Sequence, residues 1–93
     1  VLVTTNMFGD ILSDVAAASV GGLGIVPSAN IGKTHGLFEP VHGAAPKYKG
    51  QNRVNPLACF FAACLMLEYK GEEAQAQRIK GAIFKIVRSG CVT

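Results

Sequence analysis

The sequence predicts an α/β chain that forms part of a larger subunit. Two observations indicate this class. A short apolar, β-branched run precedes a segment whose apolar residues recur at helical spacing, and two further helical segments follow at the end of the sequence. Of its 93 residues, 49% are hydrophobic and only 16% are charged, whereas a typical soluble domain has about 25% charged residues. We therefore expect a globular chain with apolar surface that another chain, or another part of the same protein, covers.

A strand and a helix are predicted at the start of the chain. Residues 1–4 are apolar and β-branched, which predicts a buried strand, and Asn6 can cap the helix that follows. That helix covers residues 7–20, and Gly21 with Gly22 ends it. Its apolar residues recur at helical spacing, namely Met7, Ile11, Val15 and Ala18. Because the sequence begins within a strand and without an initiator Met, we expect a piece of a longer protein.

The middle of the chain is predicted to be mostly loop. Residues 21–36 are rich in Gly, Ser and Asn, with a short strand expected near Ile25. Residues 37–41 form another extended stretch. Residues 42–55 then form a long polar loop, and long loops in compact domains are usually functional or disordered.

Two helices follow the loop. Asn55 can cap a helix that has Pro56 at its first position, and this helix runs to about Tyr69. It is apolar almost all round, so we expect it to be buried. Gly71 separates it from a second helix over residues 72–88, whose acidic start and basic end match the helix dipole. No repeat or linker divides the chain, so residues 1–93 are treated as one unit.

Charge and hydropathy argue against two classes of partner. The net charge is +3, but no run of five or more basic residues occurs and Trp is absent, so no nucleic-acid partner is expected. The longest apolar stretch, residues 56–68, is shorter than the about 20 residues that span a bilayer. No signal-peptide pattern is visible at the start. We therefore expect no membrane association.

The three cysteines, Cys59, Cys64 and Cys91, are odd in number and lack metal-ligand spacing. This pattern predicts buried free thiols in a reducing compartment. The expected location is the cytoplasm, with the mitochondrial matrix as the alternative.

Asp10 and Asp14 form a carboxylate pair on the first predicted helix. A spacing of four residues puts both side chains on one face, about 5–6 Å apart at Cβ. The two like charges repel, and no other charged residue lies between Met7 and Val20. A divalent cation would offset the repulsion, because Mg²⁺ is commonly held by one or two carboxylates with water and substrate oxygens. The alternative is a solvated helix face.

Two further segments carry binding hypotheses. The glycine-rich stretch from Gly21 has Pro27 where a dinucleotide fingerprint starting at Gly22 needs its third glycine, and it follows a helix, so that fingerprint is rejected. Residues 42–48 are more informative. Small residues expose the backbone there, His42 and Tyr48 offer flat surfaces for a base, and Lys47 offers a phosphate contact. An ordinary surface loop is the alternative.

Three motifs in this order resemble the isocitrate and 3-isopropylmalate dehydrogenase family, the β-decarboxylating dehydrogenases. They are NMFGDILSD at residues 6–14, PSANIG at residues 27–32 and FEPVHGAAP at residues 38–46, followed by Asn55 and Pro56. The resemblance covers nearly the whole chain. It implies a C-terminal fragment of that family's two-domain α/β fold.

The resemblance also implies roles for individual residues. Asp10 and Asp14 match the aspartates that bind Mg²⁺ or Mn²⁺ together with the substrate. Glu39 lies close to the family's cofactor site. The positions around the adenosine half of the cofactor are matched by His42, Gly43, Ala45 and Asn55. The family's Tyr and Lys acid–base residues and its substrate-binding arginines lie upstream, and a third metal-binding Asp comes from a partner subunit. A homodimer or higher homo-oligomer is therefore implied.

The implied activity is an NAD(P)- and Mg/Mn-dependent oxidative decarboxylation of a 2-hydroxy di- or tricarboxylate that bears a 3-carboxylate. Isocitrate, converted to 2-oxoglutarate and CO₂, is the favoured substrate, with 3-isopropylmalate or homoisocitrate as alternatives. A non-catalytic regulatory subunit or inactive fragment is the alternative of another class. Regulatory subunits often lose the metal aspartates, whereas this chain keeps both.

Lys47 bears on the choice of cofactor. NAD-using members of the family typically have Asp at this position, and an Asp would repel the 2′-phosphate of NADP, whereas a Lys attracts it. The pair of Lys47 and Tyr48 is similar to bacterial NADP-linked isocitrate dehydrogenases. NADP is therefore the expected cofactor and NAD the alternative; a solvated Lys47 without such a role is the simpler interpretation.

Overall fold

The computed structural model describes residues 1–91. Within them the chain forms three α-helices and a two-stranded sheet, with two 3₁₀ turns in the connections. In chain order these are α1 (Asn6–Ser19), a first 3₁₀ turn (Leu23–Ile25), β1 (Pro27–Ile31), β2 (Gly36–Pro40), a second 3₁₀ turn (Pro46–Tyr48), α2 (Leu57–Tyr69) and α3 (Glu73–Arg88).

The two strands form an antiparallel hairpin. Pro27 lies opposite Pro40 at its open end, and Ile31 lies opposite Gly36 at its closed end. The connecting turn is closed by the Gly32 N–H, which donates to the His35 carbonyl at 2.8 Å. The loop of residues 42–55 thus begins shortly after the end of β2 at Pro40.

Helix α2 is the centre of the packing. It contacts both strands and α3, and the Phe38 and Tyr69 rings, 5.5 Å apart between centroids, join it to β2. Small buried residues lie where it meets α3, since Cys64 Sγ is 3.7 Å from the Ala76 carbonyl oxygen and both residues are fully buried. Small side chains let the two helices approach closely, and burial raises the pKa of the Cys64 thiol above its ordinary value.

A tight reversal joins α2 to α3. Gly71 adopts a φ of 81°, in the left-handed region that glycine enters without a steric cost. The Glu72 N–H donates to the Leu67 carbonyl at 2.9 Å and the Gly71 N–H to the Glu68 carbonyl at 3.0 Å, which is the Schellman arrangement. An ion pair between Lys80 and Glu68, 2.5 Å long, then ties the two helices together.

Helix α1 packs against the rest of the described chain mainly through the first 3₁₀ turn. Ala17 is its buried residue, whereas Met7, Phe8 and Val15 are more than 60% exposed. The expected excess of exposed apolar surface is therefore present, and part of it lies on this helix.

Three predictions for the first part of the chain were wrong. Residues 1–4 are exposed and form no strand, because neither strand of the hairpin pairs with them. The helix begins at Asn6, so Thr5 rather than Asn6 occupies the N-cap position, and no side chain bonds there. Ile25 belongs to a 3₁₀ turn, and the strand starts later, at Pro27.

Three predictions for the second part also need correction. Helix α2 begins at Leu57, one residue later than expected. It is not buried all round, since Phe60 is 50% exposed on its outer side. Only Cys64 of the three cysteines is buried, whereas Cys59 and Cys91 are exposed. Within residues 1–91, no helix combines the length and apolarity needed to cross a membrane.

Candidate functional site

A cavity of about 530 Å³ lies between the loop of residues 42–55 and the first 3₁₀ turn. Its lining consists of Gly24, His42, Gly43, Ala45, Tyr48, Arg53, Val54 and Asn55. Five of the seven residues predicted to bind a cofactor are therefore brought together in one wall, and they are His42, Gly43, Ala45, Tyr48 and Asn55. The other two, Glu39 and Lys47, lie outside the lining.

Local backbone bonds shape this wall. Ala45 adopts a left-handed conformation with φ 45°, and its carbonyl accepts the Tyr48 N–H at 3.0 Å. The side chain of Gln51 donates from Nε2 to the Lys47 carbonyl at 2.7 Å. A non-glycine residue in this region of φ is strained, and such strain concentrates at functional sites. The loop is thus wound into a compact turn that presents Tyr48 to the cavity.

His42 carries an unpartnered buried atom at the cavity. Its Nδ1 lies 2.9 Å from the Gly43 carbonyl oxygen, and because a carbonyl only accepts, Nδ1 carries the hydrogen. In the neutral ring Nε2 then has a lone pair. That Nε2 is buried and has no hydrogen-bond partner in the described chain. A ligand with an N–H donor, such as the amino group of adenine, fits this atom.

One of the two polar groups of the Asn55 side chain already makes a hydrogen bond within the chain. Its Oδ1 accepts the Leu57 N–H at 3.0 Å, which holds the side chain at the start of α2. An amide has one acceptor atom and one donor group. The Nδ2 donor is therefore the group that Asn55 can offer to a ligand in the cavity that it lines.

Glycine keeps two positions of the lining free of side-chain atoms. A Cβ atom placed on Gly24 or on Gly43 meets no atom within 4 Å. Any larger residue would therefore extend into open space beside the lining. The backbone itself forms the wall at these two points, as a close approach by a flat ligand requires.

Positive charge surrounds the ring of Tyr48. The Nζ atom of Lys47 lies 4.8 Å from the ring centroid, and the Cζ atom of Arg53 lies 5.7 Å from it. Both distances are within the about 6 Å range of cation–π attraction. Lys47 therefore lies beside the cavity through its contact with Tyr48. Glu39 is exposed on β2, opposite Ser28.

Asp10 and Asp14 lie on α1 and are both exposed. No cluster of three or more His, Cys, Asp or Glu side chains occurs within residues 1–91. Two carboxylates at this spacing supply hard oxygen ligands that suit Mg²⁺ or Mn²⁺, which prefers such oxygens with water and substrate to complete its shell. The described chain therefore offers part of a coordination shell.

Three lining residues were not among the predicted binding residues: Gly24, Arg53 and Val54. Gly24 belongs to the glycine-rich stretch, where a close backbone approach was expected. Val54 directly precedes Asn55 in sequence, which was the available signal. For Arg53 the only signal was its charge, in a loop that has three basic residues and no acidic one between residues 42 and 55.

The chain belongs to the isocitrate/isopropylmalate dehydrogenase family, whose match covers residues 1–93. A 3-isopropylmalate/3-methylmalate dehydrogenase from Methanocaldococcus jannaschii is 54% identical over 93 residues, which are 100% of this chain and 28% of that protein. An NADP isocitrate dehydrogenase from Archaeoglobus fulgidus is 53% identical over 93 residues, which are 100% of this chain and 23% of that protein.

Solved structures agree with this family. The crystal structure of isocitrate dehydrogenase from Methylococcus capsulatus has a TM-score of 0.84 and 47% identity, over 91% of this chain and 25% of that one. The predicted family and its α/β fold are thus confirmed. The chain spans about a quarter of the length of the relatives described.

Proposed function

We propose that the complete enzyme performs the NADP- and Mg/Mn-dependent oxidative decarboxylation of isocitrate to 2-oxoglutarate and CO₂. In this proposal the present chain supplies two metal carboxylates and the adenosine half of the NADP site. The observation that carries the second part is the cavity. It is lined by five of the residues that the sequence assigns to cofactor binding, and its buried His42 Nε2 has no partner in the described chain.

Each lining residue has a binding role that its chemistry supports. His42 accepts a hydrogen bond from the adenine amino group through Nε2, and Asn55 donates through Nδ2. Gly43 lets the base approach the backbone. Tyr48 offers its ring face, and the Lys47 ammonium beside that ring attracts the 2′-phosphate. When bound, the nicotinamide of the cofactor accepts the hydride from the substrate.

Asp10 and Asp14 hold the divalent cation. A divalent cation bound by both carboxylates would attract each of them, and this attraction would outweigh their mutual repulsion on one helix face. Such a cation, held by Asp10 and Asp14, would supply Lewis acidity that stabilises negative charge on a substrate oxygen. Both carboxylates are exposed, which leaves room for the substrate and water to complete the shell. The remaining ligand is proposed to come from a partner subunit, in a homodimer or higher homo-oligomer.

Isocitrate is proposed as the substrate, with 3-isopropylmalate and homoisocitrate as alternatives. Relatives named for each of these three substrates are at least 50% identical to this chain, so identity within these residues does not separate them. The pair of Lys47 and Tyr48 favours isocitrate. Turnover of the full-length enzyme on the three acids, with saturating NADP and Mg²⁺, tests the choice. A kcat/KM for isocitrate below that of either alternative would contradict it.

The cofactor proposal is tested by reversing one charge. Lys47→Asp should lower the ratio of kcat/KM for NADP to that for NAD by about tenfold or more, because an attractive charge beside the 2′-phosphate becomes a repulsive one. Lys49→Asp is the matched control, because it makes the same charge change two residues away in the same loop, and it should change the ratio much less. A wild-type enzyme that prefers NAD would refute the proposal.

A further inference from the structure

Gln51 belongs to the loop of residues 42–55 but lies outside the lining of the cavity. Its exposed side chain nevertheless makes a hydrogen bond for which the proposed function gives no reason, because Nε2 donates to the Lys47 carbonyl at 2.7 Å. Its backbone N–H donates to the following carbonyl, that of Tyr48, at 3.1 Å. One residue therefore holds two successive carbonyls of the turn that presents Tyr48 to the cavity.

These two bonds complete the end of the second 3₁₀ turn, Pro46–Tyr48. The last carbonyls of a helical segment have no partner inside it and need donors from elsewhere. The Lys49 N–H donates to the Pro46 carbonyl at 3.1 Å. Gln51 supplies the donors for the other two carbonyls of the turn, one from its side chain and one from its backbone.

The backbone on both sides of the turn makes such support important. Ala45, Gly50 and Asn52 have positive φ angles of 45°, 77° and 50°. The left-handed region is unfavourable for a residue with a side chain, and a glycine has more alternative conformations than any other residue. This path of the loop is therefore favoured by a small margin, to which one hydrogen bond contributes appreciably.

We propose that Gln51 is a positioning residue that keeps residues 46–48 in their binding-competent shape before the cofactor arrives. The inference rests on the proposed function, because it assumes that the cavity takes adenosine. Gln51 does not touch the cofactor; it acts through the turn, which places the Tyr48 ring in the wall of the cavity. The apparent dissociation constant is the intrinsic one divided by the competent fraction of the enzyme. Loosening the turn should therefore weaken NADP and NAD by the same factor.

The test uses Gln51→Met in the full-length enzyme, because Met keeps the length of the side chain and lacks the donor. Losing one hydrogen bond lowers the equilibrium constant between the ordered and the open turn about fivefold. The dissociation constants of NADP and NAD, measured by titration calorimetry, should both rise about two- to fivefold. The kcat at saturating cofactor should stay within about twofold of the wild type, because the bound cofactor selects the ordered turn.

Hydrogen exchange measured by mass spectrometry separates positioning from a general loss of stability. In the free enzyme, Gln51→Met should speed amide exchange in residues 46–52 about two- to fivefold and leave α2 and α3 unchanged. Saturating NADP should remove the difference. Gln77→Met is the matched control, because it makes the same replacement at an exposed position of α3, and it should change neither the exchange of the loop nor the two dissociation constants.

The outcomes distinguish the inference from the proposed function. If NADP slows exchange in residues 42–55 of the wild type but Gln51→Met leaves both dissociation constants unchanged, the inference is overturned. It is also overturned if the variant weakens NADP and spares NAD, because Gln51 would then act on the phosphate contact and not on the turn. If NADP does not slow exchange in residues 42–55 of the wild type, the cavity is not the adenosine site, and the proposed function fails together with the inference.

Discussion

Asn55 performs two tasks that substitution can separate. Its Oδ1 accepts the Leu57 N–H at 3.0 Å at the start of α2, and the same side chain lines the cavity. Asn55→Ala removes both functions. Asn55→Asp keeps an acceptor oxygen for Leu57, since Asp and Asn cap helices about equally well, but replaces the Nδ2 donor with an oxygen that carries negative charge.

The two variants should therefore behave differently. Losing the cap in Asn55→Ala should cost about 1 kcal/mol of the free energy of unfolding, which corresponds to a fall in melting temperature of roughly 1–2 °C in a subunit as long as the relatives. Asn55→Asp should stay within about 0.5 kcal/mol of the wild type. Its NADP affinity should nevertheless fall roughly 5–30-fold, because one hydrogen bond worth about 1 kcal/mol is lost and a repulsive charge is added.

Melting scans and nucleotide titrations of the full-length enzyme measure both effects. Equal thermal destabilisation by Asp and Ala would mean that the bond to Leu57 does not stabilise α2. Unchanged NADP binding in Asn55→Asp would mean that this cavity is not the adenosine site. The pair of variants thus tests the local structure and the ligand assignment independently.

The remaining predictions concern the metal pair, the helix interface and the strained loop. Asp14→Asn in the full-length enzyme should weaken Mg²⁺ binding by more than about tenfold; an unchanged Mg²⁺ dependence of activity would contradict the metal assignment. The hydrogen bond that Lys80 donates to the Glu68 carboxylate raises the pKa of Lys80 above its ordinary 10.5, so Lys80→Met should cost about 0.5–1 kcal/mol. That cost should be constant from neutral pH up to about pH 10 and shrink as the pH rises further through the folded-state pKa of Lys80, and denaturant titrations at several pH values would detect the opposite trend. Ala45→Val should destabilise the loop by more than about 1 kcal/mol, because a β-branched residue is disfavoured at a φ of 45°, whereas Ala45→Gly should not; equal melting temperatures for the two variants would contradict the strain.

The last two helices were predictable because their signals are local. Asn55 and Pro56 mark the start of α2 to within one residue, and Gly71 marks the break between the helices at the position where the chain adopts a φ of 81°. The acidic residue Glu73 and the basic residue Arg88 lie at the two ends of α3, as the helix dipole favours. Each of these preferences acts within a single helical turn, so the sequence alone reveals it.

Residues 1–4 were mispredicted because strand formation is not local. An apolar, β-branched run becomes a strand only if another strand provides its hydrogen bonds. The sheet in residues 1–91 consists of β1 and β2, which pair with each other. Val1, Leu2 and Val3 remain exposed for this reason. The same argument explains the exposed outer side of α2. Its apolar sequence predicts burial, but burial requires a neighbouring surface, which residues 1–91 do not provide on that side.

The residues of the candidate site also fall into those that local sequence identifies and those that only the folded chain brings together. Its motif residues were identifiable because they lie in one continuous loop, from His42 to Asn55. The contribution of Arg53 depends on a chain reversal at Gly50 and Asn52, and that of Gly24 depends on the first 3₁₀ turn folding against a loop about 20 residues away. Such contacts depend on the three-dimensional path of the chain, and residue type alone does not predict them.

The carboxylate pair and the cavity are linked within this chain by a single short connection. Helix α1, which carries Asp10 and Asp14, packs mainly against the turn Leu23–Ile25, and Gly24 of that turn lines the cavity. Hydride transfer requires the reacting atoms of the substrate and the nicotinamide to lie about 3–3.5 Å apart in the correct orientation, and one turn is a weak constraint on a helix of 14 residues. The exposed apolar residues of α1 indicate that further contacts hold it in the complete enzyme. Under the proposed function, the geometry between metal and cofactor is then set by surfaces that pack on α1, whereas recognition of the adenosine phosphate is built into the loop itself.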